Sequence, residues 1–323
     1  MDKKNILMCL NSLGIGGVET ACVTQIKEYA RRNYNVYVLA EKGIYTEKLE
    51  KVKNVKCINF NYEHKNGIEL SKINFVIDII NKYDINLVII HKLECILSVF
   101  PACILTNIPY VAYLHMGLPD TYNWYLGNLN VSKSFIKAYL ENAYKIIGIS
   151  NQTIEENIKL FNIKKEKYEI IPNAIDFREF NNSENTNTEK ILLITRLDKD
   201  KGNGVKNAIE FYKEYKKDNP NISMDIIGDG AERKNIESII KEQKLNINLL
   251  GPKNNISEFI KKYKIVLGVG RCIQEAIAMK KFGVVVGYEG FKRVSNIWKH
   301  WRCSKNKFFW KRITNKRLPR NCR

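Results

Sequence analysis

Short apolar runs alternate with longer amphipathic segments along most of the chain. The runs are continuous, which is typical of parallel strands covered on both faces, and the amphipathic segments repeat their apolar positions at helical spacing. Strands alternating with helices predict an α/β fold with parallel sheets. The predicted strands are 5–10, 35–40, 55–60, 86–91, 109–115, 144–149, 191–194, 223–227, 247–250, 264–267 and 282–286, and the predicted helices are 18–32, 70–82, 93–105, 203–217, 231–244, 256–262 and 271–280.

The alternation stops near Pro172 and restarts at Ile191. Residues 181–190 are polar and low in complexity, as in a linker. We therefore predict two Rossmann-like domains joined by a hinge. The predicted boundaries are 1–175 for the first domain, 176–190 for the hinge, 191–290 for the second domain and 291–323 for a separate tail.

The net charge of +19 is concentrated in the tail, where residues 291–323 carry 12 Lys and Arg and no acidic residue. The other 290 residues carry 41 basic and 34 acidic residues. Because the body of the chain is only mildly basic, we expect no nucleic-acid partner.

Targeting and redox signals are weak. The first apolar run, Ile6–Leu10, is too short for a signal peptide, and no window reaches the roughly 18 apolar residues of a spanning helix. The eight cysteines show no spacing typical of a disulfide framework or a metal site. We expect a cytoplasmic protein without a bound metal.

Two cations follow the apolar run Ile191–Ile194. Arg196 and Lys201 leave the carboxyl end of this predicted strand, which is where open α/β sheets bind ligands. A guanidinium and an ammonium five residues apart suit a diphosphate. Solvated loop cations are the alternative.

Glycines precede two predicted helices. Gly16 and Gly17 offer free N–H groups for an anion, although Glu19 stands where a dinucleotide fingerprint needs glycine; a simple tight turn explains this pattern equally well. Gly268 and Gly270 precede the helix that carries Glu275. This carboxylate is placed to accept hydrogen bonds from sugar hydroxyls, and a solvated glutamate is the alternative.

His115 lies at the end of a predicted strand and shortly before Gly117, a position that favours it over His64, His91 and His300 as a site residue. The chain shows no Ser-His-Asp or metal-ligand spacing, so nucleophilic and metal-dependent mechanisms have no support from the sequence.

In combination these segments resemble glycosyltransferase family 4, over residues 5 to about 290. The resemblance rests on a G-G-x-E loop, a histidine beside the transferred sugar, an interdomain P-N-x-I-D signature, an R-x4-K-G diphosphate clamp and a G-x-G turn. In this chain they are Gly16-Gly17-Val18-Glu19, His115, Pro172-Asn173-Ala174-Ile175-Asp176, Arg196 with Lys201-Gly202, and Gly228-Asp229-Gly230. The family has glycine at the third position of the interdomain signature, where this chain has Ala174.

The resemblance implies a GT-B fold, in which two Rossmann-like domains have parallel sheets facing across a cleft. It implies transfer of a hexose from a nucleotide sugar, with UDP favoured, to a glycan or lipid-linked acceptor. The transfer would retain configuration, need neither metal nor cofactor, and serve surface or capsular polysaccharide synthesis, in the cytoplasm or peripherally at the inner membrane face.

The resemblance also assigns residues. The first domain would hold the acceptor and the second the nucleotide sugar. The implied catalytic residues are His115, Arg196 and Lys201, the donor-binding residues are Gly16, Gly17, Arg196, Lys201, Gly228, Gly270, Ile273 and Glu275, and the acceptor-side residues are Gly17 and Glu19.

Two departures from the family pattern leave alternatives open. Leu267 stands where the family has the first glutamate of its Glu-x7-Glu motif, while Glu275 matches the second, which holds the donor ribose. Residues 291–323 do not continue the family pattern, so we expect a shifted reading frame near codon 291 and an incomplete second domain. The alternatives are an inactive product, a nucleotide-sugar epimerase on the same fold, and a protein whose basic tail binds membrane or nucleic acid.

Overall fold

The computed structural model describes residues 4–64, 68–116, 131–181, 190–198, 202–253 and 255–287, with backbone alone at 202 and 203. The chain divides into two compact units, Met1–Asp176 and Phe177–Arg323. Most of the predicted hinge and the whole basic tail 291–323 lie outside the described residues, so both stay predictions.

The first unit is built on seven parallel strands. Their order in the sheet is β3-β2-β1-β4-β5-β6-β7, so the strand order reverses between β1 and β4. The strands are β1 Asn5–Ser12, β2 Asn35–Glu41, β3 Val55–Asn59, β4 Leu87–Ile90, β5 Tyr110–Leu114, β6 Lys145–Gly148 and β7 Tyr168–Ile170. The helices are α1 Gly17–Arg31, α2 Thr46–Glu50, α3 Leu70–Lys82, α4 Ile96–Thr106, α5 Lys133–Asn142 and α6 Asn151–Phe161.

Both faces of this sheet are buried. Leu7 and Cys9 of β1 point into one apolar core, and Ile6, Met8 and Leu10 point into the other. Successive side chains of a strand point to opposite faces, so a strand covered on both sides needs an unbroken apolar run. The continuous pattern of the sequence therefore has its cause in helices that pack on both faces.

The second unit repeats this plan with five parallel strands. Their order is β10-β9-β8-β11-β12, with the reversal between β8 and β11. The strands are β8 Lys190–Ile194, β9 Ser223–Ile227, β10 Ile247–Gly251, β11 Ile265–Gly268 and β12 Phe282–Val285, and the helices are α7 Gly202–Asp218, α8 Arg233–Glu242, α9 Ile256–Ile260 and α10 Arg271–Ala278. The predicted α/β class with two parallel sheets is confirmed.

Four elements of the first unit were not predicted, among them the short helix α2. Helices α5 and α6 are N-capped by Ser132 and Ser150. The hydroxyl of each serine accepts a hydrogen bond from the backbone N–H three residues on. Strand β7 has only three residues and lies at the sheet edge, where a short strand leaves little apolar signal. Within the described ranges, no helix is long and apolar enough to cross a membrane.

Candidate functional site

The predicted site residues of the first unit lie where its strand order reverses. In a parallel sheet the crevice beside this reversal, at the carboxyl ends of the strands, is the usual place for a ligand. The loop after β1 leads through Gly16 into α1, β4 ends one residue before His91, and β5 ends one residue before His115. Three strand ends thus bring predicted and unpredicted polar side chains to one edge of the sheet.

The start of α1 offers backbone donors beside a carboxylate. Gly16 caps the helix in an extended conformation, and the N–H groups of the first turn have no partner within a helix. The Glu19 carboxylate lies where a Cβ on residue 16 would be, so glycine at 16 makes room for this side chain. Glu19 is also held by Lys92, with Nζ 3.4 Å from Oε1. Lys92 was not predicted as a site residue.

His115 is in contact with a second histidine. His91 Nδ1 lies 3.0 Å from His115 Nε2, and the ring of Tyr113 lies 4.8 Å from His91 and 4.9 Å from His115 between ring centroids. Burial lowers the pKa of His115 to about 3, with Lys92 contributing, and lowers the pKa of His91 well below its usual range. Both imidazoles are therefore neutral at neutral pH.

Cys22 of α1 lies beside this histidine pair. Its sulfur and one nitrogen of each histidine are all within 4.8 Å of one another, and a thiolate with two imidazoles suits zinc or copper. A ligating imidazole usually donates its other N–H to an acceptor. Among the described residues neither His91 Nε2 nor His115 Nδ1 has a hydrogen-bond partner, so this outer support for a metal is lacking.

In the second unit the loop after β8 runs beside the turn after β9. The Thr195 N–H donates to the Ile227 carbonyl (3.1 Å) and the Leu197 N–H donates to the Asp229 carbonyl (2.9 Å). Arg196 lies between these two bonds, and its side chain is 63% exposed with Nη1 3.3 Å from Asp198 Oδ2. The backbone of the loop is thus fixed while the guanidinium stays accessible. Lys201 lies outside the described residues.

Gly228 is required by the close approach of these two loops. Its φ is +142°, and a Cβ there would collide with the Thr195 carbonyl oxygen. We expect Gly228→Ala to lower the free energy of unfolding by about 1–3 kcal/mol, because the backbone is strained for any L side chain. Denaturant unfolding measures this. The control is Gly204→Ala within α7, where the added Cβ meets only ordinary contacts; an equal loss in both variants would contradict the explanation.

Helix α10 begins at the other side of the strand reversal, directly after β11. Gly270, at φ +69°, caps it, and the Cys272 thiol lies 3.8 Å from the Ile194 carbonyl oxygen of β8. Burial raises the pKa of Cys272 to about 12, so the thiol stays protonated. The N-terminus of α10 and the carboxyl end of β8 are therefore neighbours in the fold.

A buried ion pair lies in this helix. Arg271 Nε donates to Glu275 Oε1 over 2.7 Å, and both side chains are only 6% exposed. Burial raises the pKa of Glu275 to about 7, and Arg271 opposes this shift. In the sequence, Arg271 is identified only as the first residue of the predicted helix 271–280. Its pairing with Glu275 follows from the i, i+4 spacing.

The raised pKa of Glu275 makes stability depend on pH. Between about pH 4.5 and pH 7 the folded state binds a proton that the unfolded state has lost, so the free energy of unfolding falls as pH rises. The loss attributable to Glu275 is about 3 kcal/mol. We expect wild type to lose this amount relative to Glu275→Gln between about pH 5 and about pH 8 in urea unfolding. A difference in the free energy of unfolding between wild type and Glu275→Gln that stays constant over this pH range would contradict the raised pKa of Glu275.

Two further predicted positions are buried in the fold. The Ile273 side chain is 4% exposed and packs against Gly283 of β12, so it does not face a ligand with its side chain, and only its backbone would be able to carry the predicted donor-binding role. Leu267 is fully buried within β11. The position aligned with the family's first glutamate therefore lies in the core of the second unit.

Known structures define the class of this fold. The chain is similar to a glycosyltransferase from Rickettsia africae, with a TM-score of 0.68 and 19% identity over 88% of this chain and 79% of that one. It is also similar to Alr3699/HepE of Anabaena in complex with UDP-glucose, with a TM-score of 0.68 and 18% identity over 90% and 86% of the two chains. Two parallel α/β units of this kind are the GT-B fold of glycosyltransferases.

Family models match both units. The model described as Glycosyltransferase Family 4 matches residues 15–179, and the model described as Glycosyl transferases group 1 matches residues 175–310. The chain belongs to glycosyltransferase family 4. An uncharacterised glycosyltransferase of Methanocaldococcus jannaschii is 26% identical in an alignment of 235 residues that covers 64% of this chain and 56% of that protein. The chain thus spans little more than half the length of this relative.

Proposed function

We propose that the protein transfers a hexose from a nucleotide sugar, with UDP favoured, to a glycan or lipid-linked acceptor with retention of configuration. The observation that carries the proposal is the strand reversal of the second unit, where three features meet. They are the accessible Arg196, the turn at Gly228 and the N-terminus of α10 with Glu275. The cation and the helix N–H groups suit a diphosphate, and the carboxylate suits ribose hydroxyls.

The comparisons support a uridine nucleotide as donor. Alr3699/HepE of Anabaena has been solved with UDP, with UDP and glucose, and with UDP-glucose. Its fold is shared by 87–90% of this chain. A shared fold at this level of sequence identity supports a nucleotide sugar as the class of ligand. The uridine base and the identity of the sugar are part of what we propose.

In the proposed reaction the protein stabilises the charge that develops on the leaving UDP. Arg196, Lys201 and the backbone N–H groups at the start of α10, including that of Ile273, donate to the diphosphate as the glycosidic bond breaks. Gly16, Gly17, Gly228 and Gly270 allow the backbone to approach the donor. His115 contacts the transferred sugar, and Gly17 and Glu19 lie on the acceptor side.

The proposed transfer needs no metal ion, because Arg196 and the helix N-terminus supply positive charge at the diphosphate. We expect chelation with EDTA to leave the rate of UDP release unchanged after metal-free dialysis. A rate that falls with EDTA and returns with Mg²⁺ or Mn²⁺ would contradict this part of the proposal.

The wider role is also a proposal. The acceptor would be a growing surface or capsular polysaccharide, and the protein would act in the cytoplasm or peripherally at the inner membrane face. The family resemblance supports this role.

Proton NMR of donor turnover tests the proposed reaction. The full chain is incubated with the α-linked donors UDP-glucose, UDP-galactose and UDP-N-acetylglucosamine, with water as the acceptor. We expect slow UDP release from one of them, with the α-anomer of the free sugar formed first. First formation of the β-anomer would contradict retention, and a folded protein that releases no UDP from any donor would contradict the proposed donor class.

A further inference from the structure

The His91–His115 contact fixes where the protons of the two rings lie. A neutral imidazole has one N–H and one acceptor nitrogen, and the bond between His91 Nδ1 and His115 Nε2 uses one nitrogen of each ring. One ring must donate, and its outer nitrogen is then an acceptor. The other ring must accept, and its outer nitrogen then carries an N–H.

The two outer nitrogens are unequal in their surroundings. Within the described part of the chain both His91 Nε2 and His115 Nδ1 are buried without a hydrogen-bond partner. His91 is only 2% exposed, whereas His115 is half-buried at the sheet edge. A buried N–H without an acceptor is costly, so the unpaired N–H is better placed on His115, which is the more exposed of the two residues.

We infer that His91 is a positioning residue: its Nδ1–H donates to His115 Nε2 and thereby keeps the proton of His115 on Nδ1, as a donor for a substrate oxygen. The hydrogen bond at one ring nitrogen sets the protonation of the other. His115 then meets the sugar with a fixed N–H, and the neutral state of both rings maintains this arrangement at neutral pH. The identity of the substrate in this inference rests on the proposed function. The position of the His115 proton does not depend on that function.

Lys92 and Tyr113 are, besides Cys22, further described neighbours of the pair. Lys92 lowers the pKa of both histidines while its ammonium is held by Glu19, and the Tyr113 ring contacts both imidazoles. Tyr113 also restricts rotation of His115, because its hydroxyl donates to the Ile171 carbonyl at 3.2 Å. Among the described residues, His91 is the hydrogen-bond partner of His115 Nε2.

Two substitutions of equal size test whether His91 keeps the proton of His115 on Nδ1 and away from Nε2. In His91→Asn the side-chain amide takes the place of Nδ1 and is able to donate to His115 Nε2. In His91→Asp the ionised carboxylate only accepts, so it draws the His115 proton to Nε2. The control is His64→Asn, a partly buried histidine with its own hydrogen bond to Ser98 outside the site.

The experiment records nitrogen-15 NMR of the histidines of the full chain, with the His115 signals assigned by His115→Asn, and measures UDP release in parallel. We expect the proton of His115 on Nδ1 in wild type, His91→Asn and His64→Asn, and on Nε2 in His91→Asp. We expect kcat to fall about 10- to 100-fold in His91→Asp, with a much smaller change in the donor KM. If His91→Asp does not fold, His91→Leu replaces it, and His115 should then populate both tautomers.

A wild-type protein with the His115 proton on Nε2 would overturn the inference, as would an unchanged tautomer in His91→Asp or His91→Leu. A wild-type protein that releases no UDP from any donor would instead remove the proposed function. The NMR result would still decide whether His91 sets the proton position. The two failures are therefore distinguishable.

Discussion

Arg196→Ala is expected to lower kcat for UDP release by about 10²- to 10³-fold, the loss typical when one fixed donor to a developing charge is removed. The β8–β9 backbone bonds on either side of Arg196 hold the loop, and the guanidinium is 63% exposed. The substitution should therefore remove charge without disturbing the fold. Initial rates at saturating UDP-hexose measure the effect.

The matched control for Arg196 is Arg32→Ala, which removes another exposed arginine from an ion pair, here with Glu28 at the end of α1. We expect wild-type rates in this variant. Arg196→Lys keeps the charge but loses the planar fork, so its rate should lie between those of wild type and Arg196→Ala. If Arg196→Ala and Arg32→Ala have the same rate, Arg196 has no role at the diphosphate.

Glu275→Gln is expected to weaken UDP binding by about 10-fold. A carboxylate makes hydrogen bonds of about 1.5–3 kcal/mol with hydroxyl donors, against about 0.5–1.5 kcal/mol for a neutral amide. Because Glu275 is buried beside Arg271, an amide of the same shape keeps the packing. Titration calorimetry at about pH 8, where Glu275 is ionised, measures the affinity.

Glu237→Gln is the matched control for Glu275→Gln. Glu237 pairs with Arg233 at the same i, i+4 spacing, with 3.0 Å between Nε and Oε1, but at a half-exposed position on α8. We expect its UDP affinity to equal that of wild type. Equal affinities in wild type and Glu275→Gln would show that the carboxylate does not hold the nucleotide.

The fold could be predicted from the sequence because strands that are buried on both sheet faces consist of unbroken apolar runs. The unbroken run Ile191–Ile194 becomes β8, and the helical spacing between residues 70 and 82 becomes α3 with the predicted ends. The same rule located the strand ends that carry Arg196 and His115. Applied to the end of β4, it would also have selected His91 and Lys92, which had no motif to draw attention to them.

Contacts between distant elements could not be predicted. Cys22 comes from α1, and His91 and His115 directly follow β4 and β5; the three residues meet only because β1 lies beside β4 in the sheet. The burial of Glu275, and with it the raised pKa, depends on how α10 packs against β11 and β12. The i, i+4 spacing indicates Arg271 as the partner of Glu275 but does not predict how deeply the pair is buried. The short edge strand β7 and the capped helices α5 and α6 depend on local hydrogen bonds that carry little apolar signal.

The second unit is proposed to bind the nucleotide of a sugar donor. Thermal unfolding of the full chain with an excess of UDP, GDP or ADP tests it most directly. A nucleotide at about 100 times its dissociation constant adds about 2.7 kcal/mol to the free energy of unfolding. We predict stabilisation by UDP that is lost in Arg196→Ala and kept in Arg32→Ala. A cooperative transition that none of the three nucleotides shifts would contradict the claim.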